Sequence, residues 1–196
     1  MKTLILPGMG ATHQMYPEPW RSLPNVEILD WPLDDQSKTI PDLATALIEK
    51  YKITSSDRLI GSSLGGMVAC EISNQISLRQ VVLIGSALHP DEIQSIFRFL
   101  HPAIKLIPLK LIHRLASGCA YLPLEMFAKS DPEFIRRMCS AVYQWKGDQG
   151  RSPVYRMHGT RDLIIPCPVK YHLALKGGHL IATTHAEECC EAIAKL

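Results

Sequence analysis

The chain has 196 residues, enough for one domain with its own hydrophobic core and too few for a second of similar size. It contains 46% apolar and 20% charged residues with a formal net charge of only +2, which is typical of a globular protein and does not favour nucleic acid as a partner. The apolar stretch Thr3–Leu6 is far shorter than the core of a signal peptide, and no run of eighteen consecutive apolar residues occurs. The six cysteines lack the spacing of a disulfide framework. We therefore expect one soluble, cytoplasmic domain over residues 1–196.

Short β-rich apolar runs alternate with longer helical patterns along the chain, which is typical of a mostly parallel sheet covered by helices. The predicted strands are residues 3–6, 26–30, 58–60, 81–84, 154–157 and 171–175. Several of these runs are continuously apolar, as expected of strands that are buried on both faces. The predicted helices of this alternating part are residues 41–51, 66–76 and 186–194.

One region departs from this alternation. No strand pattern occurs between Gly85 and Pro153, and residues 93–100, 104–116 and 132–145 have helical patterns. Because a loop of this length without secondary structure is uncommon, we predict a helical insertion over residues 88–150.

The first part of this insertion is basic. Residues 93–118 contain Arg98, Lys105, Lys110 and Arg114 and no acidic residue. One interpretation is a pair of ordinary helices whose apolar face covers the sheet. Others are an apolar acyl pocket with a basic entrance, or a surface that contacts an anionic membrane or an acidic acyl-carrier protein. The sequence leaves these interpretations open.

A candidate nucleophile lies between the third predicted strand and the helix that follows it. Residues 61–65 read Gly-Ser-Ser-Leu-Gly, which fits G-x-S-x-G in the strand–turn–helix setting that this motif requires. A sharp turn there exposes the Ser63 hydroxyl, and the glycines avoid collisions with the turn and the helix. The adjacent Leu64 N–H would lie at a helix N-terminus, where negative charge is stabilised.

A candidate acid and a candidate base follow the last two predicted strands. Asp162 lies in a His-Gly-Thr-Arg-Asp loop after residues 154–157, at the edge of the sheet where functional groups collect in α/β folds. His179 follows residues 171–175 and a Gly-Gly turn, and an imidazole has the near-neutral pKa that a general base needs. The order Ser…Asp…His, each after a strand, distinguishes His179 from the seven other histidines.

Together these motifs resemble the α/β-hydrolase superfamily, in which a triad follows this chain order at three strand ends. The resemblance covers nearly the whole chain. It implies a three-layer α/β fold with six strands in the order 2-1-3-4-5-6. It also implies that Ser63, Asp162 and His179 form the triad, and that residues 88–150 replace the variable lid of the family.

The same resemblance implies an oxyanion hole. In the family, the loop after the first core strand provides one of the two donors, and here residues 6–10 read Leu-Pro-Gly-Met-Gly. The Met9 N–H would therefore join the Leu64 N–H in binding the oxyanion.

Two features depart from the family pattern. The first predicted strand leads directly into the oxyanion loop, so the usual N-terminal antiparallel hairpin is not expected. The interval between Asp162 and His179 is also shorter than usual, with little room for a helix. Asp91, which follows the strand at residues 81–84, is therefore kept as an alternative acid.

The chemistry implied is hydrolysis of a carboxylic ester or thioester through an acyl-enzyme on Ser63. The expected substrate is a small molecule with an apolar acyl part, and no metal or organic cofactor is expected. Residues that bind the substrate are not identified. The alternatives are an acyltransferase or lyase that uses the same triad, and a non-catalytic binding protein that retains the fold.

Overall fold

The computed structural model describes residues 1–32, 36–94 and 131–196. The strands of this part are β1 (Thr3–Leu6), β2 (Val26–Ile28), β3 (Arg58–Ser62), β4 (Gln80–Ile84), β5 (Val154–Gly159) and β6 (Leu173–Leu175). They form one sheet in the order β2-β1-β3-β4-β5-β6, and every neighbouring pair is parallel. The predicted strand order is therefore confirmed, and the sheet is parallel throughout rather than mostly parallel.

The helices of the described residues are α1 (Glu18–Arg21), α2 (Ile40–Tyr51), α3 (Leu64–Ile76), α4 (Pro132–Gln144), α5 (Ile181–Thr184) and α6 (Ala186–Ala194). Two short 3-10 helices lie at His13–Met15 and Pro90–Glu92. The Thr39 side chain begins α2 by accepting the Asp42 N–H, and the Asp131 carboxylate begins α4 by accepting two backbone N–H groups. These residues are polar N-caps of the kind that helix starts favour.

Several strand ends differ from the prediction, because pairing partners decide where a strand ends. β2 ends at Ile28 rather than at residue 30, since it pairs only with the short β1. The edge strand β6 begins at Leu173 rather than at residue 171, since it pairs only with the last residues of β5. Inside the sheet, β3 extends to Ser62 and β5 to Gly159.

Side chains of the central strands alternate between the two faces of the sheet. Leu59 and Leu83 pack in a core with α2, α3 and α4, whereas Ile60 and Val82 pack in a second core with α1, α5 and α6. The central strands are therefore apolar on both faces, as their continuous apolar sequences predicted. The result is the predicted arrangement of three layers, with the sheet in the middle.

The predicted insertion at residues 88–150 is described only at its two ends. Its first end contains the 3-10 helix Pro90–Glu92 and its second end contains α4. The four basic residues of the segment 93–118 lie outside the described residues, as does the predicted helix 104–116. Within residues 1–32, 36–94 and 131–196, no helix has the length and hydrophobicity that crossing a bilayer requires.

Candidate functional site

The turn between β3 and α3 has the strained geometry that its sequence motif predicts. Ser63 has φ 51° and ψ −118°, in a region that non-glycine residues rarely adopt. A Cβ on Gly61 would overlap the backbone of Gly65. A Cβ on Gly65 would lie 2.5 Å from the carbonyl oxygens of Leu6 and Pro7. Glycine at both positions therefore lets β3, α3 and the end of β1 come close together around Ser63.

Ser63, His179 and Asp162 form a continuous chain of hydrogen bonds. The Ser63 Oγ lies 2.9 Å from His179 Nε2, and His179 Nδ1 lies 2.8 Å from Asp162 Oδ2. An ionised carboxylate only accepts hydrogen bonds, so it favours the tautomer with the proton on Nδ1. Nε2 is then left as an acceptor for the Ser63 hydroxyl. This arrangement is suited to moving a proton from Ser63 to His179.

The turn after β5 holds the Asp162 carboxylate in this orientation. The Asp162 Oδ1 atom accepts the N–H groups of Ile164 and Ile165, at 2.9 Å and 3.0 Å. The side chain is fully buried, and the Oδ2 atom is directed at His179. The carboxylate is therefore fixed by its own loop before it contacts the imidazole.

Two turns that are bonded to each other bring Asp162 and His179 together. The Arg161 N–H donates to the Gly177 carbonyl at 2.9 Å, and the Thr160 N–H donates to the Leu175 carbonyl at 2.8 Å. A Cβ on Gly159 would overlap the carbonyl oxygens of the Gly-Gly turn that precedes His179. Direct packing of the β5 and β6 turns thus compensates for the short interval between the acid and the base.

His158, the last-but-one residue of β5, supports the same loop. Its Nε2 atom lies 3.2 Å from the Ile165 carbonyl oxygen, and its ring is completely buried. Burial lowers the pKa of His158, while the nearby Asp162 charge acts in the opposite direction. The buried His158 ring therefore closes the loop that carries Asp162.

The two predicted oxyanion donors lie on segments that adjoin Ser63. Leu64 is the first residue of α3, so its N–H has no acceptor within the helix. A Cβ on Gly8 would lie 3.7 Å from the Ser63 Cβ, which places the loop that bears Met9 beside the nucleophile. The Met9 side chain lies 3.5 Å from the Cys139 sulfur of α4. Helix α4, at the second end of the predicted insertion, therefore contacts the loop that bears Met9.

Asp91, the alternative acid, is paired with a different histidine. Its carboxylate lies 3.1 Å from His89 Nδ1 in an exposed pair on the 3-10 helix after β4. His13, another histidine near a strand end, is paired with Asp30 at 2.7 Å. Among the described residues, no group of three histidine, cysteine or acidic side chains is placed to hold a metal ion.

Two residues that contact the site, Ser86 and Trp31, were not predicted from the sequence. The Ser86 hydroxyl donates to the Ser63 carbonyl at 2.6 Å. The Trp31 indole N–H donates to the Gly8 carbonyl at 3.0 Å. Ser86 follows β4 and Trp31 follows β2. Both therefore lie after the end of a strand, which is the sequence signal that also indicated Asp162 and His179.

Part of the chain matches a family model. A family model described as "Uncharacterised protein family (UPF0227)" matches residues 22–97, which is less than half of the chain. A search of curated proteins finds no match.

Solved structures resemble the chain over its full length. An alpha/beta hydrolase fold protein from Burkholderia ambifaria matches with a TM-score of 0.72 and 15% identity, covering 100% of this chain and 90% of that protein. A thermophilic esterase from Thermogutta terrifontis matches with a TM-score of 0.74 and 17% identity, covering 100% and 88%. The type II thioesterase BorB from the borrelidin biosynthetic cluster matches with a TM-score of 0.74 and 18% identity, covering 99% and 91%. Together with the order of the parallel strands, these matches show that the chain has the α/β-hydrolase fold.

Proposed function

We propose that this protein is a serine hydrolase that cleaves a carboxylic ester or thioester through an acyl-enzyme on Ser63. The observation that carries the proposal is the chain of hydrogen bonds from the Ser63 hydroxyl through His179 to the buried Asp162 carboxylate. The strained turn at Ser63 adds support, because such strain persists where the surrounding structure maintains it and is concentrated at functional sites.

In the first half-reaction, Ser63 Oγ attacks the carbonyl carbon of the substrate while His179 Nε2 takes the hydroxyl proton. The Asp162 carboxylate stabilises the imidazolium that results. When the tetrahedral intermediate collapses, the bond to the leaving group breaks. The departing alcohol or thiol takes the proton from His179 Nε2, and the acyl group remains on Ser63.

In the second half-reaction, a water molecule attacks the acyl-enzyme while His179 Nε2 takes a proton from it. Collapse of the second tetrahedral intermediate breaks the bond to Ser63 Oγ, which recovers its proton from His179. The carboxylic acid product leaves, and the starting protonation state is restored.

The backbone N–H groups of Leu64 and Met9 are the proposed donors to the oxyanion in both half-reactions. The N-terminus of α3 adds its favourable dipole to the Leu64 donor. Removing one such donor from a serine hydrolase typically costs about 100-fold to 1,000-fold in kcat.

The proposed substrate is a small molecule with an apolar acyl part. Apolar and sulfur-containing side chains pack beside the loop that bears Met9, since Met9 contacts Cys139 and Trp31 contacts Phe134. One of the structurally similar proteins is an esterase and another is a thioesterase. Substrates with an alcohol leaving group and with a thiol leaving group are therefore both tested.

The proposal is tested with a fluorophosphonate probe, p-nitrophenyl esters and N-acetylcysteamine thioesters of increasing acyl length. We expect covalent labelling and turnover in the wild type, and a loss of at least about 10,000-fold in Ser63→Ala. The matched control is Ser62→Ala, which removes the neighbouring buried hydroxyl and should retain labelling. Intact-protein mass spectrometry identifies the adduct.

A folded wild type that is neither labelled nor active on any ester or thioester would overturn the proposal and favour a non-catalytic binding protein. Formation of new esters in the presence of an added alcohol, with little free acid, would instead favour an acyltransferase on the same triad.

A further inference from the structure

A buried indole is bonded to the loop beside Ser63. The Trp31 Nε1–H donates to the Gly8 carbonyl oxygen at 3.0 Å, and the Ala11 N–H donates to the same oxygen at 3.1 Å. Trp31 is only 8% exposed, and its ring packs against Phe134 of α4 with a centroid distance of 5.4 Å. The indole is therefore held in place by its hydrogen bond to Gly8 and by packing against Phe134.

The hydrogen bond from Trp31 fixes the orientation of the whole Gly8–Met9 peptide unit, and not only that of the Gly8 carbonyl. The Gly8 carbonyl and the Met9 N–H belong to one planar peptide unit, which is trans because the described chain contains no cis peptide bonds. In a trans peptide the C=O and the N–H point in opposite directions. Fixing the Gly8 carbonyl therefore fixes the direction of the Met9 N–H.

Local backbone sterics restrain this peptide unit only weakly on its Gly8 side. Its rotation changes ψ of Gly8 and φ of Met9, and Gly8 has no side chain to limit its ψ angle. Rotation of the Gly8–Met9 peptide would be inexpensive if only the local bond from Ala11 opposed it. The bond from Trp31 joins residues 23 positions apart and anchors the loop to the segment after β2.

We propose that Trp31 is a positioning residue for the oxyanion hole, and that its indole N–H holds the Gly8–Met9 peptide so that the Met9 N–H faces the oxyanion. This inference rests on the proposed function of Ser63. Trp31 itself does not touch the reacting atoms, since it lies on the carbonyl side of the peptide unit. Its contribution is to orient a donor before the reaction begins, which avoids reorientation in the transition state.

The packing of Trp31 also links this peptide to α4. Phe134 contacts the indole ring, and Cys139, further along the same helix, contacts the Met9 side chain. Both sides of the donor peptide are thus restrained by one helix of the predicted insertion.

The test compares Trp31→Phe with the wild type on a p-nitrophenyl ester and on the corresponding thionoester. Phenylalanine keeps a buried aromatic ring and removes the N–H. Sulfur accepts hydrogen bonds more weakly than oxygen, so the thionoester depends less on the oxyanion donors. We expect Trp31→Phe to lower kcat on the ester by about tenfold with KM changed by less than about twofold, since one donor is misoriented rather than removed. The ratio of ester to thionoester kcat should fall.

The matched control is Trp145→Phe. Trp145 is also buried and its indole N–H donates at 2.8 Å to Glu71, away from the loop of Met9. Its loss should lower the melting temperature while leaving the ester to thionoester ratio at the wild-type value. A general loss of stability would affect both substrates alike and would not change this ratio.

A second variant covers the case in which Trp31→Phe does not fold. Phe134→Leu retains the indole N–H and loosens the ring, so we expect a smaller fall in ester kcat, again accompanied by a fall in the ratio. If the wild type is active and a folded variant has the wild-type kcat on the ester and the wild-type ratio of ester to thionoester kcat, this inference is overturned. The proposed function would remain intact. A wild type that lacks Ser63-dependent labelling would overturn both.

Discussion

At Asp162, one carboxylate oxygen accepts two backbone N–H groups and the other faces His179. The two oxygens therefore have separate tasks, because the first holds the loop and the second orients the imidazole. An asparagine at this position would keep a carbonyl oxygen for the backbone donors, but its amide nitrogen would face His179 Nδ1. That contact favours the tautomer with the proton on Nε2, which cannot accept the Ser63 proton.

We predict that Asp162→Asn lowers kcat by about 10,000-fold while the protein remains folded. The measurement is kcat on a p-nitrophenyl ester together with thermal unfolding followed by circular dichroism. Asp91→Asn is the control, since Asp91 is paired with His89 on an exposed turn, and its kcat should stay close to that of the wild type. Loss of activity in Asp91→Asn with retention in Asp162→Asn would reverse the assignment of the acid.

Among the contacts between elements, a partly buried ion pair joins β5 to the first end of the predicted insertion. The Arg156 guanidinium contacts Glu92 at 2.7 Å and 3.1 Å and the Ser86 carbonyl at 3.3 Å. Glu92 also accepts the Leu88 N–H at 2.8 Å. Because the Ser86 hydroxyl is bonded to the Ser63 carbonyl, this pair connects the base of the insertion with the turn that bears Ser63.

We predict that Glu92→Met lowers the free energy of unfolding by about 3 kcal/mol, because it leaves a buried guanidinium without its counter-charge. The double variant Glu92→Met/Arg156→Met should be more stable than Glu92→Met alone, since it removes that charge as well. Urea denaturation measures both. Glu133→Met is the control for an exposed ion pair, that of Glu133 with Arg136, and should cost less than about 1 kcal/mol. A double variant no more stable than Glu92→Met alone would contradict the coupling.

At the scale of the whole molecule, Asp57 joins the starts of several strands at the amino edge of the sheet. Its carboxylate accepts the Lys2 N–H at 2.8 Å, and the Thr54 N–H and hydroxyl at 2.9 Å. Its own carbonyl accepts the Arg79 N–H that precedes β4. Burial by itself would raise the pKa of Asp57, but these hydrogen bonds outweigh it and hold the pKa below its usual range.

We predict that Asp57→Asn lowers the free energy of unfolding at neutral pH by about 2 kcal/mol, the usual contribution of hydrogen bonds to a charged group. Because the pKa of Asp57 is lower in the folded than in the unfolded chain, its contribution is fully present above the unfolded pKa of about 4. It is lost as the pH falls through the folded pKa. Urea denaturation across this range should show a constant difference between wild type and variant near neutrality and a shrinking one below about pH 4. A difference that grows on acidification would contradict the role of the carboxylate.

Much of the fold was predictable because it depends on residues that are close in sequence. Continuous apolar runs identified several of the strands, since strands buried on both faces need apolar side chains at every position. The glycines around Ser63 identified the turn between β3 and α3, since only glycine permits the close backbone contacts found there. The strand order came from the resemblance that these motifs carry, and the ends of β2 and β6 were misplaced because they depend on pairing partners.

The sequence by itself thus determined the elements, the turn at Ser63 and a short set of candidate acids and bases. Only the tertiary structure decided that Asp162 rather than Asp91 lies against His179, and that Trp31 is bonded to the loop of Met9. The contacts of His179 with Asp162, of Trp31 with Gly8 and of His179 with Ser63 join residues 17, 23 and 116 positions apart. Their distances depend on how the sheet aligns the ends of its strands and on which turns pack together, and no local pattern of side chains specifies either.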